Sequence, residues 1–232
     1  MQVVITGASQ GIGRAIAEAF AREGSDLYLC SRTMDRQMAW QQSLMERYNI
    51  GVTSYNADLS QESETRSFAD KLLEAAPRID VLVNNAGYFQ PGTIHGEPEG
   101  QLEAMMRVNL YSAYHLSRAL LPRMMQQGSG HIFNICSVAA LQAYPAGGSY
   151  SVSKWALLGF SRNLREEMKP HGIKVTAVHP GATMTRSWES SGVSPDRIMQ
   201  SEDIARLVVA SAALSPQACV EDIIVRPQLG DL

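Results

Sequence analysis

The stretch VVITGASQGIGRAIAEAF, residues 3–20, constrains this chain more than any other. An apolar, β-branched run ends at Thr6, glycines follow at positions 7, 11 and 13, and an alanine-rich amphipathic segment starts at once. Strand, glycine turn and helix in that order open a βαβ unit. Glycine permits the tight turn and lets the backbone approach a ligand. The helix beyond it offers unpaired N–H groups and a positive dipole end, which suit a pyrophosphate. Gly7, Gly11 and Gly13, with Ile12 between them and the Ser9 hydroxyl, are therefore candidate dinucleotide contacts. Taken alone, an ordinary glycine-rich βα turn would look the same.

The alternation continues. Apolar runs at 3–6, 27–30, 52–56, 79–83, 131–136, 173–178 and 222–225 alternate with helix-like segments near 12–23, 34–48, 61–75, 101–126, 150–169 and 202–214. This pattern predicts an α/β fold, a parallel sheet with helices on both faces. Runs apolar at nearly every position predict strands buried on both sides. The chain has no linker, low-complexity segment or short internal repeat, so one domain over 1–232 is expected. The stretch 186–201, RSWESSGVSPDRIMQS, interrupts the alternation and reads as a mobile insertion, a substrate lid.

Composition narrows the class. A net charge of −3 with no long basic run argues against a nucleic-acid partner. The three cysteines, Cys30, Cys136 and Cys219, are far apart, so neither a disulfide framework nor a metal site is expected. Cys30 and Cys136 lie in strand-like runs and read as buried thiols of a reducing compartment. No apolar run reaches the roughly 18 residues of a membrane span. The first element starts at Gln2, which leaves no room for a leader, and the expectation is a cytoplasmic protein.

In dinucleotide folds the end of the second strand meets the adenosine ribose, where an acid selects NAD and an arginine accommodates a 2′-phosphate. Here that strand ends LYLCSRT, placing Ser31, Arg32 and Thr33 at the position. A guanidinium grips a phosphate through paired N–H donors, so NADP(H) is favoured over NAD(H). A solvated surface arginine is the alternative.

Further along, Tyr150 and Lys154 stand at helical i, i+4 spacing in GGSYSVSKWALLGF. A phenol has a reference pKa near 10, and a neighbouring cation lowers it by about 1–3 units. Alone, the two would read as a surface pair, and Ser137 in FNICSVAA as a strand-end cap. With the glycine turn, NNAG at 84–87, Ser137 thirteen residues before Tyr150, Asn109 in MRVNLYSAYHL and HPGATMT at 179–185, the chain resembles the short-chain dehydrogenase/reductase family. The landmarks run in register from residue 6 to 185.

The resemblance implies a Rossmann-type doubly wound sheet of seven strands in the order 3-2-1-4-5-6-7. It implies NAD(P)-linked reduction of a carbonyl, or oxidation of an alcohol, without a metal. Asp58 and Leu59 would meet the adenine. Asn85, Ala86 and Gly87 would line the adenosine ribose, and Pro180, Gly181, Thr183 and Thr185 would flank the nicotinamide end. Ser137 would hold the substrate oxygen, Tyr150 would donate the proton, and Lys154 would tune it and bond the nicotinamide ribose. Asn109 takes the fourth catalytic position, where its amide can fix a water relaying protons to Lys154.

Ala139, Leu141, Gln142, Tyr144 and Trp188 are the expected substrate-facing residues, mostly apolar or aromatic, which suits a small-molecule carbonyl or alcohol. The chain is similar overall to 3-oxoacyl-carrier-protein reductases, although its turns offer little basic surface to an acidic carrier. Apolar and aromatic residues on helices 101–126 and 150–169 suit a homo-oligomer, a tetramer or dimer. An NAD-linked alcohol or polyol dehydrogenase and a non-catalytic NADP(H)-binding regulator stand as alternatives.

Overall fold

The computed structural model describes residues 1–185, 188 and 192–232. Seven strands form one parallel sheet: β1 (Gln2–Thr6), β2 (Asp26–Ser31), β3 (Val52–Asn56), β4 (Val81–Asn84), β5 (Gly130–Ile135), β6 (Ile173–Pro180) and β7 (Asp222–Val225). Their spatial order is β3-β2-β1-β4-β5-β6-β7, the order expected. The order in which strands are added reverses between β1 and β4, and open α/β sheets bind ligands at such a switch point, beyond the strand C-termini.

The helices are α1 (Gly11–Arg22), α2 (Met38–Tyr48), α3 (Glu62–Ala75), α4 (Gln101–Met106), α5 (Ser112–Gln127), α6 (Gly148–Met168) and α7 (Ser201–Ala212). Strand residues point alternately to two cores, as the period of two requires. Val3, Ile5, Leu27, Leu29, Val81 and Val83 face α1 and α7, with Phe20 and Ile204 between. Val4, Tyr28, Leu82, Ile132 and Val175 face α3, α5 and α6. Small residues on α1, among them Gly13, Ala17 and Ala21, let that helix lie close to the sheet.

Several expectations need correction. Strands buried on both faces hold for the centre of the sheet only: β3 and β7 are its edges, and each leaves residues exposed. The expected fourth strand at 79–83 lies at 81–84. The single helix expected at 101–126 is two helices joined by a π-helical turn at Arg107–Tyr111. Of the expected lid, residues 186, 187 and 189–191 lie outside the described residues. The remainder makes contacts with the body of the domain. Ile198 and Met199 are buried, Thr183 bridges to Met199, and Arg197 donates to the carbonyls of Leu229, Gly230 and Asp231. Cys30 and Cys136 are buried, as expected, and burial pushes both thiols up to about 12. Among the described residues no helix is long and apolar enough to cross a membrane.

Candidate active site

A cleft of about 940 Å³ runs across the carboxyl ends of the strands. Its walls include Gly7, Ser9, Gly11 and Ile12 at one end and Ser137, Tyr150 and Lys154 at the other. That volume lies in the range of small-molecule and cofactor sites.

The glycine loop is built to leave donors open. Gly7 and Gly11 adopt φ of +64° and +55°, where an L side chain is strained. A Cβ on Gly11 would also crowd Thr185 Cγ2 at 3.1 Å. Gln10 precedes α1 in an extended conformation, and its side chain makes no cap. The first-turn N–H groups are thus left to an anion, so the donor set fits a pyrophosphate. Gly13 does something else. It is absent from the cleft wall, and a Cβ there would lie 2.4 Å from Asn85 Nδ2 and 2.5 Å from the Gly7 oxygen. Its role is close packing of α1 against the loops.

Thr6 and Asn85 fasten that loop. Thr6 Oγ1 accepts from the backbone N–H groups of Asn85 and Ala86, each at 3.0 Å. Asn85 Nδ2 donates to the carbonyls of Thr6 and Gly7 at 3.0 and 3.1 Å. Asn85 borders the cleft as expected, but its amide is committed to protein rather than offered to a ribose. Around the adenosine end stand Ser31, Arg32, Thr33, Asp58 and Leu59, with Ala57 and Ser60 beside them. Arg32 is exposed there, so its guanidinium is available to an anion. Ser31 Oγ accepts from the Thr33 N–H, and Asp58 Oδ1 from the Ser60 N–H; both are turn caps.

At the other end, Ser137 follows β5 and starts a short 3₁₀ turn, Val138–Ala140, with its Oγ accepting the Ala139 N–H at 3.1 Å. Tyr150 and Lys154 lie one turn apart on α6. Glu97 fixes the start of that helix by accepting the Ser149 N–H at 2.8 Å and the Ser149 hydroxyl. Burial pushes the Tyr150 phenol up to about 12, and hydrogen bonding from Ser137 works the other way. Lys154 is 5% exposed; loss of water lowers its ammonium to about 8. Its Nζ donates to the Ile135 carbonyl at 2.8 Å and lies 5.8 Å from the Tyr150 ring centre. The sequence predicted that the cation would lower the phenol. In this site burial raises the phenol instead, and the amine is aimed at the Ile135 carbonyl rather than at the phenol oxygen.

Asn109, expected at the fourth catalytic position, lies in the π turn with its side chain turned inward, 1% exposed. Its Oδ1 accepts the Tyr88 N–H at 2.9 Å, and its Nδ2 donates to the Tyr88 carbonyl and to Ser153 Oγ. The amide expected to hold a relay water is spent on tying the segment after β4 to α6. π turns recur where a side chain must be re-aimed at a functional site. Gly87 lies between: a Cβ there would be 3.0 Å from Asn109 Oδ1 and 3.5 Å from Lys154 Nζ.

Pro180, Gly181, Thr183 and Thr185 border the cleft, although the Thr183 hydroxyl turns back to the Gly181 carbonyl at 2.9 Å. Of the expected substrate-facing residues, Ala139, Gln142, Tyr144 and Trp188 line it. Leu141 does not; it packs against the small core that holds Cys136 and Leu157. Phe89, Arg226 and Asp231 line the cleft without having been foreseen. Phe89 stands edge-on to Tyr150, with ring centres 4.8 Å apart at 80°. Its place two residues past NNAG was the available signal. Arg226 and Asp231 pair with each other across the C-terminal turn.

A family model described as short chain dehydrogenase matches residues 1–194. The chain belongs to that family. Within the short-chain dehydrogenases it is 35% identical to the sepiapterin reductase of Chlorobaculum tepidum, over 99% of this chain and 97% of that protein. It superposes on an alcohol dehydrogenase from the archaeon Thermococcus sibiricus, solved with 5-hydroxy-NADP, at a TM-score of 0.90. That pair is 29% identical, with 98% of this chain and 96% of the other covered. The L-sorbose reductase of Gluconobacter frateurii, solved with NADPH and L-sorbose, superposes at 0.89 and 28% identity, covering 97% and 94%. None of these three is a 3-oxoacyl-carrier-protein reductase.

Proposed function

We propose that this short-chain dehydrogenase reduces a carbonyl on a compact, flat molecule, with NADPH as the hydride source and Tyr150 as the proton donor. The observation that carries the reading is the meeting of Ser137 and Tyr150 in the cleft, with the Lys154 amine sealed beside them. Reduction needs a hydride on carbon and a proton on oxygen, and NADPH, when bound, supplies the hydride. Ser137 Oγ accepts the Ala139 N–H, and its own proton, directed at Tyr150 in the resting site, is the one a substrate oxygen would take up. Tyr150 stays protonated through neutral pH, as a donor must, because burial holds its phenol near 12. Lys154 spends one proton on Ile135 and keeps others for ribose hydroxyls. Asn109 positions the loop after β4 against α6.

Arg32 stands exposed at the adenosine end, and the Thermococcus and Gluconobacter relatives were solved with NADP-type cofactors; both support NADP(H) over NAD(H). Phe89, Tyr144 and Trp188 give the substrate end aromatic walls, which suit a flat body better than a polyhydroxylated chain. The sepiapterin reductase relative points the same way. The chain is read as one cytoplasmic domain, its cleft drawing on residues from Gly7 to Leu232. A panel containing sepiapterin, apolar ketones and diketones, 3-oxoacyl thioesters and L-sorbose, followed by NADPH absorbance, tests this. Turnover of sepiapterin or an apolar ketone, with L-sorbose far slower, is expected. Tight NADPH binding without turnover of any compound would overturn it and favour a regulator.

A further inference from the structure

His179, the residue before Pro180, is 0% exposed on β6, and both of its ring nitrogens face oxygen. Nε2 lies 2.7 Å from Asp222 Oδ1 on β7, and Nδ1 lies 3.2 Å from the Ser137 carbonyl. A neutral imidazole has one N–H and one lone pair. Either neutral tautomer would set a lone pair against the Asp222 carboxylate or the Ser137 carbonyl. Against an ionised Asp222, only a ring with both nitrogens protonated satisfies the two contacts. A buried cation needs a partner, and the Asp222 side chain, 35% exposed, is the one in contact with it.

The place of the contact matters. The β5–β6 ladder is extended by the Cys136 N–H donating to the Val178 carbonyl at 2.7 Å, and Ser137 comes next. At that point the sheet no longer holds the chain. The Ser137 carbonyl is held by the His179 ring and by the Ala140 N–H at 3.0 Å. Other charged or titratable groups around the pair come from α6 and the neighbouring strand ends. Lys154, Arg162 and Asp222 all act on the Cys136 thiol. Arg162, Arg165 and Glu221 border the crevice beside Asp222, with Arg165 paired to Glu221.

We propose that His179 and Asp222 form a buried imidazolium–carboxylate pair whose task is to hold the Ser137 carbonyl, and so aim the Ser137 hydroxyl at the substrate oxygen. This rests on the role proposed for Ser137. His179 is a positioning residue, since it acts through Ser137.

Nitrogen-15 NMR of the histidine-labelled resting protein at pH 7 reads the pair without turnover. The His179 signals, assigned by their loss in His179→Asn, should show protons on both ring nitrogens; a bare nitrogen would overturn the proposal. His179→Asn keeps an N–H donor toward Ser137 and should hold kcat within about threefold, whereas His179→Phe removes it and should lower kcat about tenfold or more at unchanged NADPH affinity. Equal kcat in His179→Phe and wild type, or a tenfold loss in the Asn variant, would overturn it. Should the Phe variant fail to fold, the NMR signals and the Asn variant decide. An active Tyr150→Phe variant would sink the reading of the site while leaving the NMR result intact. A bare nitrogen alongside an inactive Tyr150→Phe variant would sink this inference alone.

Discussion

At Lys154, burial decides the chemistry. The ammonium falls from 10.5 to about 8 because it loses water, while its Nζ donates to the Ile135 carbonyl. The folded chain therefore binds this proton less tightly than the unfolded chain. The resulting penalty is full below pH 8 and fades as pH rises toward 10.5. A shift of this size is of order 3 kcal/mol, against about 1 kcal/mol for the hydrogen bond lost on replacement. Lys154→Met should thus melt at higher temperature than wild type at pH 7, and the gap should shrink by pH 10. A gap that does not change with pH would contradict the assignment of burial as the cause. Local spacing made Gly7, Ser137, Tyr150 and Lys154 legible in the sequence. Thr6, Glu97 and His179 were not, because their partners lie 79, 52 and 43 residues away.

Among the elements, α1 shows how close packing and cofactor geometry compete for one glycine. Gly→Ala within a helix normally gains about 0.8–1 kcal/mol. At Gly13 the new methyl would meet Asn85 Nδ2 and the Gly7 oxygen inside 2.6 Å of both, and overpacking costs about 1–3 kcal/mol. The clash wins, since one of the two atoms is backbone. Gly13→Ala should lower the melting temperature and weaken NADPH binding together, measured by thermal melts and fluorescence titration. Unchanged binding would show that the loop tolerates the methyl. The strand–glycine–helix order was readable because it repeats a local pattern. The π turn at 107–111 was not, since its apolar spacing passes for a continuous helix and the shift matters only once Tyr88 and Ser153 approach Asn109.

For the whole molecule, the alternating runs foretold the parallel sheet, and the family resemblance supplied its strand order. Edge exposure at β3 and β7 was hidden, because run composition does not say which strands end up outermost. The anchored segment before α7 was hidden too; Arg197 reaches tail carbonyls more than 30 residues on. Tyr111, Tyr114, Val152 and Trp155 remain exposed around α5 and α6, with Tyr114 against Phe160 joining the two helices. The homo-oligomer expected from the sequence would bury this patch. Sedimentation should find the wild type as a dimer or tetramer and Trp155→Glu shifted toward monomer. A monomeric wild type would remove that expectation.

The proposed chemistry turns on Tyr150 giving the proton. On the best substrate of the panel, steady-state rates and NADPH fluorescence titrations are compared for wild type and Tyr150→Phe. Tyr150→Phe should lower kcat by about 10²–10⁴ while NADPH affinity changes little, because the phenol oxygen alone is removed. A Tyr150→Phe variant that turns over at the wild-type rate would contradict it.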